Sequence, residues 1–171
     1  MDIELLKKEI SKGKIFIYPT DTVYGIGCNA LDEEAVEKIR KIKKRDEKPF
    51  SVIAPSFEWI SDNLIIDVNL EKYFPGAYTV ILKKKDKKFL KEVSASDTLG
   101  VRIPDSEFTK KIQKAGFPFV TTSVNFSGEK PANNIQEISK EILKQVDYVI
   151  DMGELSGKPS TLVIDGKEIK R

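Results

Sequence analysis

Histidine is absent from these 171 residues, and cysteine occurs once, at Cys28. The first absence removes Ser-His-Asp and Cys-His catalysis, helical His-Glu-x-x-His zinc sites and any histidine general base. The second removes thiolate zinc sites, Cys-x-x-Cys redox chemistry and an internal disulfide, and it suits a reducing cytoplasm. No apolar run approaches the roughly 20 residues of a spanning helix, so no membrane is expected as a partner. The opening MDIELLKKEISKGK is acidic and amphipathic, unlike a signal peptide. An excess of either charge is missing too: 29 Lys and Arg against 27 Asp and Glu give a net +2, too small to argue for nucleic-acid binding. Chemistry in this chain has to run on lysine, arginine, carboxylates, hydroxyls, backbone amides or a hard metal ion.

What is present is enough apolar material for a real core. With 40% hydrophobic residues, a chain of this size buries about 70% of its unfolded surface. One domain over 1–171 is the simple expectation. Apolar spacing predicts an amphipathic helix near 3–12 and a second after Asp32, with Ala35, Val36, Ile39 and Ile42 on one face. Shorter helices are expected at 69–75, 106–115 and 135–144. Strands are expected at 14–18, 50–54, 78–82, 99–103, 117–123 and 147–151, and a hairpin around Asp165-Gly166. The run KKKDKK at 83–88 reads as the solvated end of a strand. Strand and helix alternate irregularly, which predicts an α/β fold with a mixed, twisted sheet.

Several stretches carry polar groups where strands end. In YPTDTVYGIG (18–27), Thr20, Thr22 and Tyr24 alternate and share one side if the chain stays extended. Gly25 and Gly27 allow close approach of a backbone or a ligand. The segment is either the rim of a small-molecule site or a polar turn. Lys43, Lys44, Arg45 and Lys48 crowd the end of a predicted helix; cations there favour the helix dipole, yet four in six residues also suit a polyphosphate. Ser123 and Asn125 sit two apart after a strand, as in a capped loop or an adenosine or amino-acid site. Arg102 lies in an apolar strand and needs an anionic partner if buried. Ser160 and Thr161 stand at the mouth of another strand.

Taken in order, YPTDTVYGIGCNA, IRKIKKRDEKPFSV, PGAYTVIL, LGVRIP, TTSVNFSG and GKPSTLVID resemble the YrdC-like family of L-threonylcarbamoyladenylate synthases. The Lys-x-Arg signature falls on Lys43 and Arg45, and Ser-x-Asn on Ser123 and Asn125. The resemblance implies a twisted α/β sheet with a basic concave surface. It also implies a reaction joining L-threonine, bicarbonate and ATP into threonylcarbamoyl-AMP with release of pyrophosphate. The product feeds a separate transferase that modifies tRNA.

On this resemblance Thr22, Arg102 and Ser160 meet threonine. Arg45, Lys48, Thr98, Thr121, Ser123 and Asn125 meet ATP. Lys43 and Arg45 act at the triphosphate, with Mg²⁺ carried by the nucleotide rather than by a protein cage. Lys48 stands where other members carry Asn, and Ile53 where some carry a threonine-facing histidine. Arg171 falls near the family's Arg-x-Gly, at an end expected to fray. The resemblance is to the short form, without the second domain of longer members. Two other classes stay open: an RNA-binding module, with Lys83 to Lys88 adding charge, or a YrdC-like paralogue without synthase activity. A carbamoyl-handling domain like those of hydrogenase-maturation proteins is disfavoured by the lack of partner domains and zinc-type cysteines.

Overall fold

The computed structural model describes residues 1–45 and 47–171. Its frame is a single mixed sheet of ten strands: β1 (Phe16–Tyr18), β2 (Gly25–Gly27), β3 (Ser51–Ile53), β4 (Leu64–Ile65), β5 (Tyr78–Lys84), β6 (Thr98–Arg102), β7 (Phe119–Ser123), β8 (Tyr148–Val149), β9 (Thr161–Ile164) and β10 (Lys167–Ile169). They run in the order β10-β9-β5-β6-β3-β7-β2-β1-β8, with β4 also paired to β5. The β1–β8, β3–β6 and β5–β9 pairs are parallel and the rest antiparallel.

A row of paired valines fixes which face is the main core. Val163, Val80, Val101, Val52 and Val120 stand side by side across five strands, and all are at most 1% exposed. Each contributes roughly 1.5–3 kcal/mol by burial. Because strand side chains alternate, a one-residue slip would turn the whole row to the other face, so the row also pins the register. Helix α2 (Glu33–Lys43) lays Ala35, Val36, Ile39 and Ile42 on this core, and α3 (Phe57–Asn63) adds Ile60.

The opposite face is covered only at one end. There α1 (Ile3–Ser11) and α4 (Glu107–Ala115) pack Leu6, Ile10, Phe108 and Ile112 onto Phe16, Tyr18, Ile53 and Phe119. Aromatic contacts bind this second core, with the Tyr18 and Phe108 rings stacked at 5.1 Å. The remainder of that face is left open for a site.

Caps place the helices. Asp2, Asp32, Ser56 and Ser106 each accept a hydrogen bond from a backbone N–H three residues on, about 1 kcal/mol apiece. Helix α2 stops at Lys44, whose left-handed φ of 53° turns the chain back toward the sheet. The predicted hairpin forms as expected, with Asp165 at φ 51° and Gly166 at φ 76°, the double positive φ of a two-residue β-turn.

Some expectations needed correction. Gly25–Gly27 is a strand, and its glycine serves backbone approach: a Cβ on Gly27 would lie 2.0 Å from the Val120 carbonyl. The helix expected over 135–144 is broken into a 3-10 turn at Ile135–Glu137 and the short α5 (Lys140–Leu143). Asn134 and Ser139 each start a fresh turn by capping. The helix expected over 69–75 is a 3-10 turn, Leu70–Lys72. Strand β5 runs two residues past its predicted end, so Lys84 is not solvated. It is 4% exposed and donates to the Ser94 carbonyl at 2.5 Å.

Candidate functional site

The open part of the second face holds a cavity of about 360 Å³, within the usual range for small-molecule sites. Strand ends build it. Ser51, Thr79, Arg102, Thr121 and Ser123 line it from β3, β5, β6 and β7, and Thr22, Ser160 and Arg171 close one end. Five cationic side chains line it, Lys43, Arg45, Lys48, Arg102 and Arg171, against one lining carboxylate, Glu129, among the described residues.

Lys43 leaves the end of α2 on the buried side and is 1% exposed. Its ammonium donates to Thr122 Oγ1 at 3.0 Å, to the Ser123 carbonyl and to Asn125 Oδ1 at 3.4 Å. Burial, and then the neighbouring Arg45 charge, bring its pKa down to about 7. Arg45 donates to the same Thr122 hydroxyl at 3.4 Å and to the Pro49 carbonyl at 2.8 Å. Its buried Nε has no partner. Ser123 donates to Asn125 Oδ1 at 2.6 Å, and Asn125 donates on to the Glu129 carbonyl at 2.6 Å. The two-residue spacing thus yields a direct contact, and the pair forms one wall beside Lys43.

At the other end Arg102, 7% exposed, donates to Asp21 Oδ1 at 2.9 Å, while Asp21 Oδ2 accepts from the Asp105 amide at 2.9 Å. The carboxylate therefore braces the loop and half-neutralises the guanidinium. Contacts from Arg102 to Thr22 Oγ1 are long, 3.5 Å, and its buried Nε has no partner. A planar donor fork with unmet N–H groups suits a carboxylate. Thr20 donates to the Val23 carbonyl at 2.7 Å and lies 2.9 Å from Thr22 Oγ1. With the Thr20 proton used, Thr22 donates to Thr20 and turns its lone pairs elsewhere.

A family model described as Sua5/YciO/YrdC, telomere recombination, matches residues 8–170. The chain belongs to the Sua5/YciO/YrdC family. It is 41% identical over 169 residues to a Methanocaldococcus jannaschii protein named putative threonylcarbamoyl-AMP synthase, covering 94% of this chain and 79% of that one. Pyrococcus abyssi Sua5 complexed with L-threonine superposes with a TM-score of 0.84 at 30% identity, over 94% of this chain and 50% of that one. This chain thus spans about half the length of that Sua5. Escherichia coli YciO superposes with a TM-score of 0.81 at 29% identity, over 94% and 82%.

Within this family fold, nine of the ten expected site residues line the one cavity: Thr22, Lys43, Arg45, Lys48, Arg102, Thr121, Ser123, Asn125 and Ser160. Thr98 does not. It shares the open face with Gly100 and Arg102 by strand alternation, but lies beyond the cavity, with its hydroxyl 3.1 Å from Ser96 Oγ. Ile53 is fully buried in the α1–α4 core and lines no part of the site. Arg171, expected to fray, is exposed, yet its guanidinium is held by donating to the Ser160 carbonyl at 3.0 Å and Ser160 Oγ at 2.6 Å.

The segment bends at Asp21–Val23 instead of staying extended, and Thr20, Thr22 and Tyr24 all line the cavity. Tyr24 donates to the Gly153 carbonyl at 2.8 Å and accepts from the Met152 amide at 2.9 Å, pinning the 151–153 loop.

Four residues escaped the sequence reading. Thr122 accepts from both Lys43 and Arg45 and so joins them. Thr79 meets Ser160 at 2.7 Å. Phe50 lies under both Arg40 and Arg45, at 4.2 and 5.2 Å from its ring centre. Arg40 holds the loop carrying Lys48 by donating to the Lys48 carbonyl at 2.7 Å. A phenylalanine straight after a cationic run was the one available signal, since arginine stacks on aromatic rings.

Proposed function

We propose that this protein is an L-threonylcarbamoyladenylate synthase, a nucleotidyltransferase making threonylcarbamoyl-AMP from L-threonine, bicarbonate and ATP with release of pyrophosphate. One observation carries the reading: a single cavity joins a cation cluster at Lys43–Arg45, without a carboxylate partner among the described residues, to a half-neutralised arginine at Arg102. The 41% identity to a protein of that name supports it, as does the likeness to a Sua5 that binds L-threonine. The continuous sheet supports treating 1–171 as one domain. No described helix is long and apolar enough to cross a membrane, and buried, unpaired Cys28 is in keeping with a cytoplasmic setting.

In this reading Arg102, Thr22 and Ser160 hold the threonine, with its carboxylate on the guanidinium. Arg45, Lys48, Thr121, Ser123 and Asn125 hold the nucleotide, and Lys43 and Arg45 meet the triphosphate. Bicarbonate takes up a proton and loses water to give carbon dioxide, the threonine amine adds to it and loses a proton, and a carbamate oxygen attacks the α-phosphorus. The bond to the β-phosphate breaks and pyrophosphate leaves with the electron pair. Both nucleophiles belong to substrates, so the protein's work is positioning and charge stabilisation, which needs no histidine.

Among the described residues no three acidic, cysteine or histidine side chains converge on a metal-sized space. Such a donor set fits Mg²⁺ entering as MgATP, held by phosphate oxygens and water and neutralising their charge. The product would pass to a tRNA threonylcarbamoyl transferase.

The test is pyrophosphate release from MgATP and bicarbonate with and without L-threonine. Release only with threonine is expected. Release that ignores threonine overturns the substrate assignment, and none at all from folded protein favours a paralogue without synthase activity or an RNA-binding role.

A further inference from the structure

Strand pairing shows what lies beyond the cavity on the open face. Residues paired across strands point the same way, so Ile65, Ile81, Leu162, Ile164 and Ile169 all share the face of Thr79 and Arg102. Among the described residues no helix covers them: α1 and α4 sit over the other end of this face, and α2 and α3 pack on the other side. Ile65, Ile164 and Ile169 are 49%, 37% and 46% exposed. Together they make an uncovered apolar strip that starts where the cavity stops. Patches of this kind mark interaction sites.

We propose that this strip docks the protein that consumes the product of the neighbouring cavity: a carbamoyl-accepting transferase whose surface offers apolar side chains ringed by carboxylates. The inference rests on the synthase reading above. Three observations choose this occupant. The charged side chains that β4, β5, β6, β9 and β10 place on this face are all cationic, namely Lys83, Arg102 and Lys167. Arg102 is buried and already tied to Asp21; an acidic rim on the partner complements the two exposed lysines, whereas a second copy of this chain related by two-fold symmetry would set lysine near lysine. None of the residues that β4, β5, β6, β9 and β10 place on this face is aromatic, so single-stranded RNA would find no stacking platform there.

The strip is also continuous with the cavity wall through Thr79–Ile81 and Ser160–Leu162. Threonylcarbamoyl-AMP is a mixed anhydride open to attack by water, so a consumer seated beside the cavity shortens its exposure. In that transfer the acceptor amine attacks the carbamoyl carbon, and the bond from that carbon to the AMP oxygen breaks. AMP leaves with the electron pair and the amine proton passes to solvent.

The experiment measures binding of the purified cognate transferase, without substrates, to wild-type protein, to the double variant Ile164→Glu/Ile169→Glu, and separately to Ile65→Glu on a different strand. Wild type should bind, and each variant should weaken binding by at least about tenfold with melting temperature and pyrophosphate release unchanged. Coupled transfer to tRNA at limiting synthase should fall in step. Absent binding by wild type, or equal binding by all three proteins, overturns the proposal. So does a raised KM for ATP with transferase binding intact, which would make the strip part of the nucleotide site. A wild-type dimer dissolved by the double variant would assign the face to a second copy, and tRNA binding lost in the variants would assign it to RNA. If wild type binds the transferase with the expected pattern but releases no pyrophosphate, the synthase reading fails while the docking surface stands.

Discussion

At the Lys43 end of the cavity, a buried ammonium and the Arg45 guanidinium rest on a hydroxyl, two carbonyls and one amide oxygen. At the other end, the Arg102 guanidinium is tied to a carboxylate at 2.9 Å. The two ends solve one problem differently. A buried cation without a counter-ion is costly. Lysine can lower that cost by giving up its proton, and Lys43 titrates near 7. Arginine stays charged, so the almost fully buried Arg102 keeps Asp21 beside it. Neutral acceptors take up none of the charge at the first end, which Arg45 always carries and Lys43 carries below about pH 7, and this suits a polyphosphate. At the second end Asp21 takes part of the charge and leaves unmet donors, enough for one substrate carboxylate.

The largest expected effect breaks this contrast by removing one polar side chain at a time from either end. Arg45→Ala and Asn125→Ala should lower kcat/KM for ATP, by about 10²–10³-fold for Arg45, on the scale of losing one charge-stabilising donor, with KM for threonine little changed. Arg102→Ala should do the reverse, raising the threonine KM while ATP affinity, measured alone, holds. Steady-state pyrophosphate release with each substrate varied in turn reads both. If the two arginine variants gave the same pattern, the ends would not be separate sites.

Next in size is the dependence on pH, which sharpens the contrast because only one end titrates near neutrality. Lys43 is charged below about pH 7, so MgATP affinity should fall as pH rises from 6 to 8.5, while threonine affinity stays flat. Bound triphosphate favours the ammonium, so binding at pH 8 should take up a proton, seen by calorimetry in buffers of different ionisation enthalpy. Lys43→Met should abolish the uptake. The depressed pKa also acts on stability. Above about pH 7 the unfolded chain holds a proton that the native state has lost, so this group makes stability rise with pH toward the ordinary lysine value. Denaturant unfolding at pH 7 and 8.5 should show the rise in wild type and a flatter response in Lys43→Met.

Much of this was legible before the fold was in view, for physical reasons that differ by residue. Strands β5, β6 and β7 announced themselves as apolar runs, α2 through its apolar face and the cap at Asp32, and α4 through the glycine that ends it. The hairpin at Asp165-Gly166 declared its turn. Lys43, Arg45, Ser123 and Asn125 were found through an ordered family pattern and proved to be neighbours in space. What stayed hidden depends on contacts between distant segments. Asp21 gained its meaning only from Arg102 and the Asp105 amide. Thr122 rather than Thr121 meets the signature cations, a choice of side that depends on how β7 sits beside α2. Thr98 has the right strand and the right face, yet lies too far along β6 to reach the cavity. The three-residue β2 carries no strand-like periodicity of its own and exists because β1 and β7 flank it.

The smallest expected effect concerns Ser160, where the half-neutralised end meets Arg171. Ser160→Ala deletes one hydroxyl that accepts from Arg171 at 2.6 Å and lies 2.7 Å from Thr79 Oγ1. Arg171 keeps its bond to the Ser160 carbonyl at 3.0 Å, because a backbone acceptor survives the substitution. The hydrogen bond lost is worth about 0.5–1.5 kcal/mol net, so the threonine KM should rise only a few-fold, with no change in ATP affinity. Thr79→Val removes the other side of the same contact and should produce a change of similar size. Combining the two should add less than the sum, since one shared hydrogen bond is counted in both singles. A rise of about a hundredfold in Ser160→Ala alone would instead mean that its hydroxyl binds the substrate as strongly as Arg102 does, and that end of the cavity would have two anchors rather than one.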